Sequence, residues 1–174
     1  MMVLLLAAGP LFSQADLLNA RVERLEIKNS NQFLTVSFKV SGTFTREIKE
    51  KIHSGIETAF EHVIKIYKKN PILPMGRVLL EHAIVTTVKY DTLTKLYTLQ
   101  KKVNGQSFDT ATTDRLEEVE EWMTEISDFK VGSIDPIKGK KNYFLKVRTS
   151  IAPNFLLFFI PYDYSASKEK ELRF

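Results

Sequence analysis

Cysteine is absent from the 174 residues, which removes disulfide staples, thiolate zinc sites and a cysteine nucleophile together and leaves the fold to stand on its core alone. Histidine occurs three times, as His53, His62 and His82. These fall on separate predicted elements, with no pair at the spacing of three or four that sets two imidazoles on one helix face, so no metal-ligand motif is visible. The seven glycines are scattered, and they assemble neither a phosphate-cradling loop nor a G-x-S-x-G elbow. Excess charge of one sign is small, 25 basic residues against 21 acidic for a net +4, which does not require a nucleic-acid partner. No catalytic residue, metal or cofactor is expected from these absences, and the chain is read as a non-enzyme.

Long hydrophobic runs are also missing. The apolar stretch from Val3 to Phe12 spans about ten residues, where a membrane helix needs about twenty. It is followed by small residues at Ser13 and Ala15, the arrangement a signal peptidase reads, so residues 1–15 are expected to be an export signal cleaved after Ala15. A periplasmic location follows from that expectation. The alternative is a buried N-terminal strand, since no Lys or Arg precedes Arg21. Residues 16–174 then form one β-rich domain, for which a 44% hydrophobic share supplies a core.

What is present is mostly alternation. Val22, Leu25 and Ile27 lead to a turn at Asn29-Ser30-Asn31, after which Leu34, Val36, Phe38 and Val40 face one way and Thr35, Ser37, Lys39 and Ser41 the other. A period of two with one wet face marks an antiparallel sheet. Thr45 is placed to cap a short helix carrying Ile48 and Ile52, and Gly55 to follow its end. Alternation resumes from Ile56 through Phe60, Ile64 and Ile66 until the loop prolines Pro71 and Pro74, then from Val78 to Tyr90. Asp91 suits a turn. Lys95–Gln100 reads as a further strand, and Asn104-Gly105 closes a hairpin because both residues tolerate the positive φ of a type I′ turn.

One amphipathic helix is predicted from about Thr113 to Ile126, with Leu116, Val119, Trp122, Met123 and Ile126 three and four apart. Its other face carries Glu117, Glu118, Glu120, Glu121 and Glu125, a solvated face or, less simply, a cation site. Beyond Gly132, loops are expected at Asp135-Pro136 and Gly139, and a strand through Tyr143, Leu145, Val147, Thr149 and Ile151. The six apolar residues Phe155–Ile160 fit a strand buried on both faces, or an exposed aromatic patch. Seven or eight strands with two helices predict a mainly β fold, an antiparallel two-layer β-sandwich with a small barrel as the alternative.

The segment Val88-Lys89-Tyr90-Asp91-Thr92-Leu93-Thr94-Lys95-Leu96-Tyr97 resembles the lysine-tyrosine, leucine-threonine, tyrosine signature of the DUF4390-type family of uncharacterised exported bacterial proteins. Gly55-Ile56 with Phe60, the loop glycine Gly105, an acidic helix and Tyr143–Arg148 follow in the same order as that family's markers. Where many members carry tryptophans near the end, this chain has Tyr162, Tyr164 and Phe174. The resemblance implies export and a β-rich fold, and brings no activity with it.

Candidate binding residues follow from two places. Tyr90 and Tyr97 bracket the Asp91 turn, and their phenols either line a small polar site or pack their rings and tie their hydroxyls to backbone carbonyls. Phe155, Phe158, Phe159 and Tyr162 are the exposed-patch candidates of the tail. The clusters Lys68-Lys69, Lys101-Lys102 and Lys138-Gly139-Lys140-Lys141, all read as loops, are either solvated ends or one patch for peripheral contact with an anionic membrane surface. Two functions remain open: a non-catalytic envelope module that binds a protein partner through a sheet edge or the aromatic tail, and a carrier of an apolar ligand such as a lipid. The carrier is motivated by Phe33, Phe38, Phe44, Phe60 and Phe144.

Overall fold

In the computed structural model, which describes residues 20–30, 32–70, 76–151 and 165–173, alternation becomes two open antiparallel sheets. Strands β1 (Arg21–Ser30), β2 (Phe33–Ser41) and β7 (Glu125–Ser133) form a sheet in the order β1-β2-β7. Strands β3 (Thr58–Lys68), β4 (Arg77–Asp91), β5 (Leu96–Val103), β6 (Gln106–Thr113), β8 (Tyr143–Ile151) and β9 (Ser165–Glu171) form a second, in the order β6-β5-β4-β3-β8-β9. Among the described residues neither sheet closes on itself, so the sandwich holds and the barrel alternative does not.

The six-stranded sheet buries one face under two different covers. Towards the Lys68 end of β3, Ile64, Ile66, Ile84, Leu145 and Val147 pack against Leu34, Val36, Phe38 and Val40 of the smaller sheet. At the other end, Phe60, Val88, Tyr97 and Leu99 are covered by helix α1 (Arg46–His53) through Ile48 and Ile52 and by α2 (Leu116–Thr124) through Val119 and Met123. A three-stranded sheet cannot span a six-stranded one, and the helices extend the cover over the Phe60 and Val88 end. Thr45 caps α1 by accepting a hydrogen bond from the Ile48 amide at 3.4 Å, and Gly55 follows with φ +80°.

His62 stands at the seam between the two covers, fully buried, its ring edge-on to Phe38 at 5.7 Å. Its Nε2 meets the Met123 carbonyl at 3.0 Å and its Nδ1 the Thr149 hydroxyl at 2.9 Å. A carbonyl only accepts, so Nε2 carries the proton and Nδ1 accepts from Thr149. That neutral tautomer ties the end of α2 to β3 and β8. Burial pushes its pKa down from 6.5 to about 4.

Five sequence expectations are corrected. The long helix is only Leu116–Thr124, because β6 runs to Thr113 and β7 opens at Glu125 directly after the helix. Ile126 is buried as an inward residue of β7, and its helical spacing from Met123 is a coincidence of period. The stretch around Phe129 and Val131, assigned to no strand, is β7, and the polar Ser165–Glu171 is a true strand paired with β8. Ile56 lies outside β3 and is 45% exposed. The export signal with Ala15, and the tail residues Phe155, Phe158, Phe159, Tyr162 and Tyr164, lie outside the described residues.

Candidate binding groove

Tyr90 and Tyr97 are directly paired across β4 and β5, with ring centroids 4.7 Å apart. Tyr97 is buried, and its hydroxyl meets His53 Nε2 at 2.8 Å rather than a backbone carbonyl. His53 Nδ1 faces the Lys49 carbonyl at 2.9 Å, so Nδ1 donates and Nε2 accepts the phenol proton. The arrangement fastens α1 to the sheet. Burial raises the Tyr97 pKa, with the Tyr90 phenol beside it adding to the shift. Asp91 accepts from the Leu93 and Thr94 amides at 2.8 and 3.2 Å, and these bonds lower its pKa. This candidate cluster is thus brought together as a helix anchor and a turn, with histidine as the partner that sequence reasoning did not assign.

The third histidine also joins elements. His82 Nε2 donates to the Val131 carbonyl at 2.8 Å, and its Nδ1 accepts from Asn104 Nδ2 at 3.2 Å. Val131 belongs to β7, so this bond holds part of the β7 edge that faces away from β2. Among the described residues no three His, Asp or Glu side chains are grouped to hold a metal ion.

Beyond Val131 no strand among the described residues pairs with that edge. β7 and β6 are both terminal strands of their sheets, and between them runs a groove of two joined parts that share Lys101, Phe108 and Ser127. The first part, about 260 Å³, has an apolar floor of Ile84, Val103, Phe108, Ile126 and Phe129. The second, about 430 Å³, is walled by Trp122 of α2 and by Asp109, Glu118, Glu121 and Glu125. Phe108 is 65% exposed in an otherwise polar strand.

Local chemistry explains the shape. Asp128 takes φ +47° where the β2–β7 register shifts, a bulge that bends β7; Ser37 Oγ accepts its amide at 2.8 Å. Lys101 points inward beside buried Thr86. It lies 4.5 Å over the Trp122 ring, a cation–π contact, and burial lowers its pKa against the opposing pull of Asp109. Glu118 is paired with Arg115 at 2.8 Å and Glu125 with Lys39 at 3.4 Å. Glu121 makes no ion pair among the described residues.

A family model for a domain of unknown function, DUF4390, matches residues 18–155. The chain belongs to that family. No curated protein and no solved structure matches it. Among the described residues the match takes in eight of nine strands and both helices, so both walls of the groove lie within the family segment and β9 lies beyond it. Sequence reasoning passed over the groove, although an isolated phenylalanine in the polar strand Gln106–Thr113 and the only tryptophan were its available signals.

Proposed function

We propose that this DUF4390 protein is an exported, non-catalytic binding module that takes an extended segment of a protein partner along the free edge of β7, over the floor formed by β5 and β6. The observation that carries it is the mismatch of the layers. Among the described residues three strands face six, and the inner surface of β5 and β6 beside β7 that neither the smaller sheet nor a helix covers is an apolar trough with Phe108 exposed. A strand added to β7 would bond to its unpaired backbone groups and send every second side chain into the trough, which is the usual division between affinity and specificity in strand addition. All three histidines are engaged in joining elements, which supports a non-catalytic reading.

The carrier alternative is less well supported. Phe38, Phe44 and Phe60 are buried within packed clusters, whereas Phe33 is 39% exposed and Phe144 lies on the outer face beside Tyr67. The test is photo-crosslinking in intact cells from a reactive amino acid placed at Phe108, with Thr98 on the outer face as control. A discrete protein adduct from position 108 that is lost when Phe129→Asp is added supports the proposal. Equal labelling from both positions, or a lipid-sized adduct retained in native mass spectrometry, overturns it.

A further inference from the structure

The surface away from the groove is sorted by charge. At the end of the sandwich remote from α1 and α2, Lys68 closes β3 opposite Arg77 of β4 and Tyr143 of β8. The Lys69 amide donates to the Asn142 carbonyl at 2.9 Å, and the Leu172 amide to the Tyr143 carbonyl at 2.8 Å. These bonds gather the end of β3, the loop before β8 and the end of the chain. Two of the three lysine clusters read from sequence therefore meet here, while Lys101-Lys102 is not in a loop at all but in β5.

Residues 68–70, 76–77, 135–142 and 169–173 hold eight basic and three acidic residues, a surplus of five where the whole chain has a surplus of four. Two of the acids are already paired, Glu169 with Lys69 and Glu171 with Arg173. Lys68, Arg77, Lys138 and Lys141 make no ion pair among the described residues. Immediately after Arg77, Val78 and Leu79 are 49% and 37% exposed, at the point where the β3–β4 register shifts. Lys69 lies 4.0 Å over the Phe144 ring and Lys68 5.9 Å over that of Tyr143, so their stems lie along aromatic surface.

We infer that this basic end is a docking surface for an anionic phospholipid bilayer. Basic residues without internal counter-ions attract phosphate headgroups, and an exposed apolar pair beside them has a use only where acyl chains lie under the headgroups. A soluble polyanion would satisfy the charges and leave Val78 and Leu79 in water. This inference does not depend on the groove, which lies at the β6–β7 side.

The test is co-sedimentation of the full chain with vesicles of phosphatidylcholine alone and with 30% phosphatidylglycerol. Partition onto the anionic vesicles is expected to exceed that onto neutral ones at least about ten-fold and to lose this advantage in high salt. Lys140→Gln with Lys141→Gln, in an exposed loop, is expected to lower anionic partition about thirty-fold with an unchanged melting curve. Val78→Ser with Leu79→Ser is expected to lower it about five-fold. Unchanged partition of the lysine variant overturns the inference. So does equally tight binding of inorganic polyphosphate together with an unaffected Val78→Ser/Leu79→Ser variant, because the surface would then serve soluble anions.

Discussion

Acidification should destabilise this protein well above the range where its carboxylates titrate, and His62 is the reason. In the folded state the ring is fully buried with its pKa near 4, against 6.5 when unfolded. Above pH 6.5 neither state binds a proton there and the site contributes no pH dependence. As pH falls through 6.5 the unfolded chain takes up a proton that the folded one refuses, so stability drops, and the drop is complete below the folded pKa. A shift of about 2.5 units at about 1.36 kcal/mol each gives about 3 kcal/mol in full. About 2 kcal/mol of that falls between pH 7 and pH 4.5. Urea unfolding at half-unit pH steps measures it. His62→Gln preserves a donor for the Met123 carbonyl and an acceptor for Thr149 but does not titrate, so about 2 kcal/mol of the pH dependence should be lost over the same window. A slope equal to that of the natural chain would refute the assignment.

Other substitutions test other parts of the fold. Phe38→Ala removes a ring that packs on His62 in the larger core and should cost about 3–5 kcal/mol in chemical denaturation, with the midpoint shifted and the slope kept. Tyr97→Phe deletes the hydroxyl that His53 accepts and should cost about 1 kcal/mol, while raising amide exchange within α1 more than in β3. Gly105→Ala meets no atom within 4 Å, so its cost should be only the backbone strain at φ +81°, about 1 kcal/mol in thermal unfolding. N-terminal sequencing of the protein recovered from the periplasm should begin at Asp16, whereas an intact Met1 would sink the export reading.

The sheet that covers the core was legible where the information is local. Leu34, Val36, Phe38 and Val40 are all buried, as their alternation required. Asn104 and Gly105 take φ +50° and +81°, the Asp91 carboxylate holds its turn, and Thr45 caps α1, because each of these outcomes is decided by one to four neighbouring residues. The same locality misled at Ile126, whose place three residues after Met123 fits a helix and whose inward position in β7 fits a strand equally well. Nothing in that short window distinguishes them; the pairing of β7 with Phe33–Lys39, some ninety residues earlier, does.

From the sequence alone came the β class, the main hairpins and turns, the spacing of the three histidines that forms no metal-ligand motif, and the family signature. Only tertiary structure determined the strand order β6-β5-β4-β3-β8-β9, the addition of polar β9 by backbone hydrogen bonds that no side-chain pattern reveals, and the trough left where three strands face six. The partner of Tyr97 and the joining of Lys69 to Asn142, which brings two lysine clusters to one end, belong to the same group. Each depends on residues distant in the chain becoming neighbours, and such proximity is a property of the packed layers rather than of any segment's periodicity.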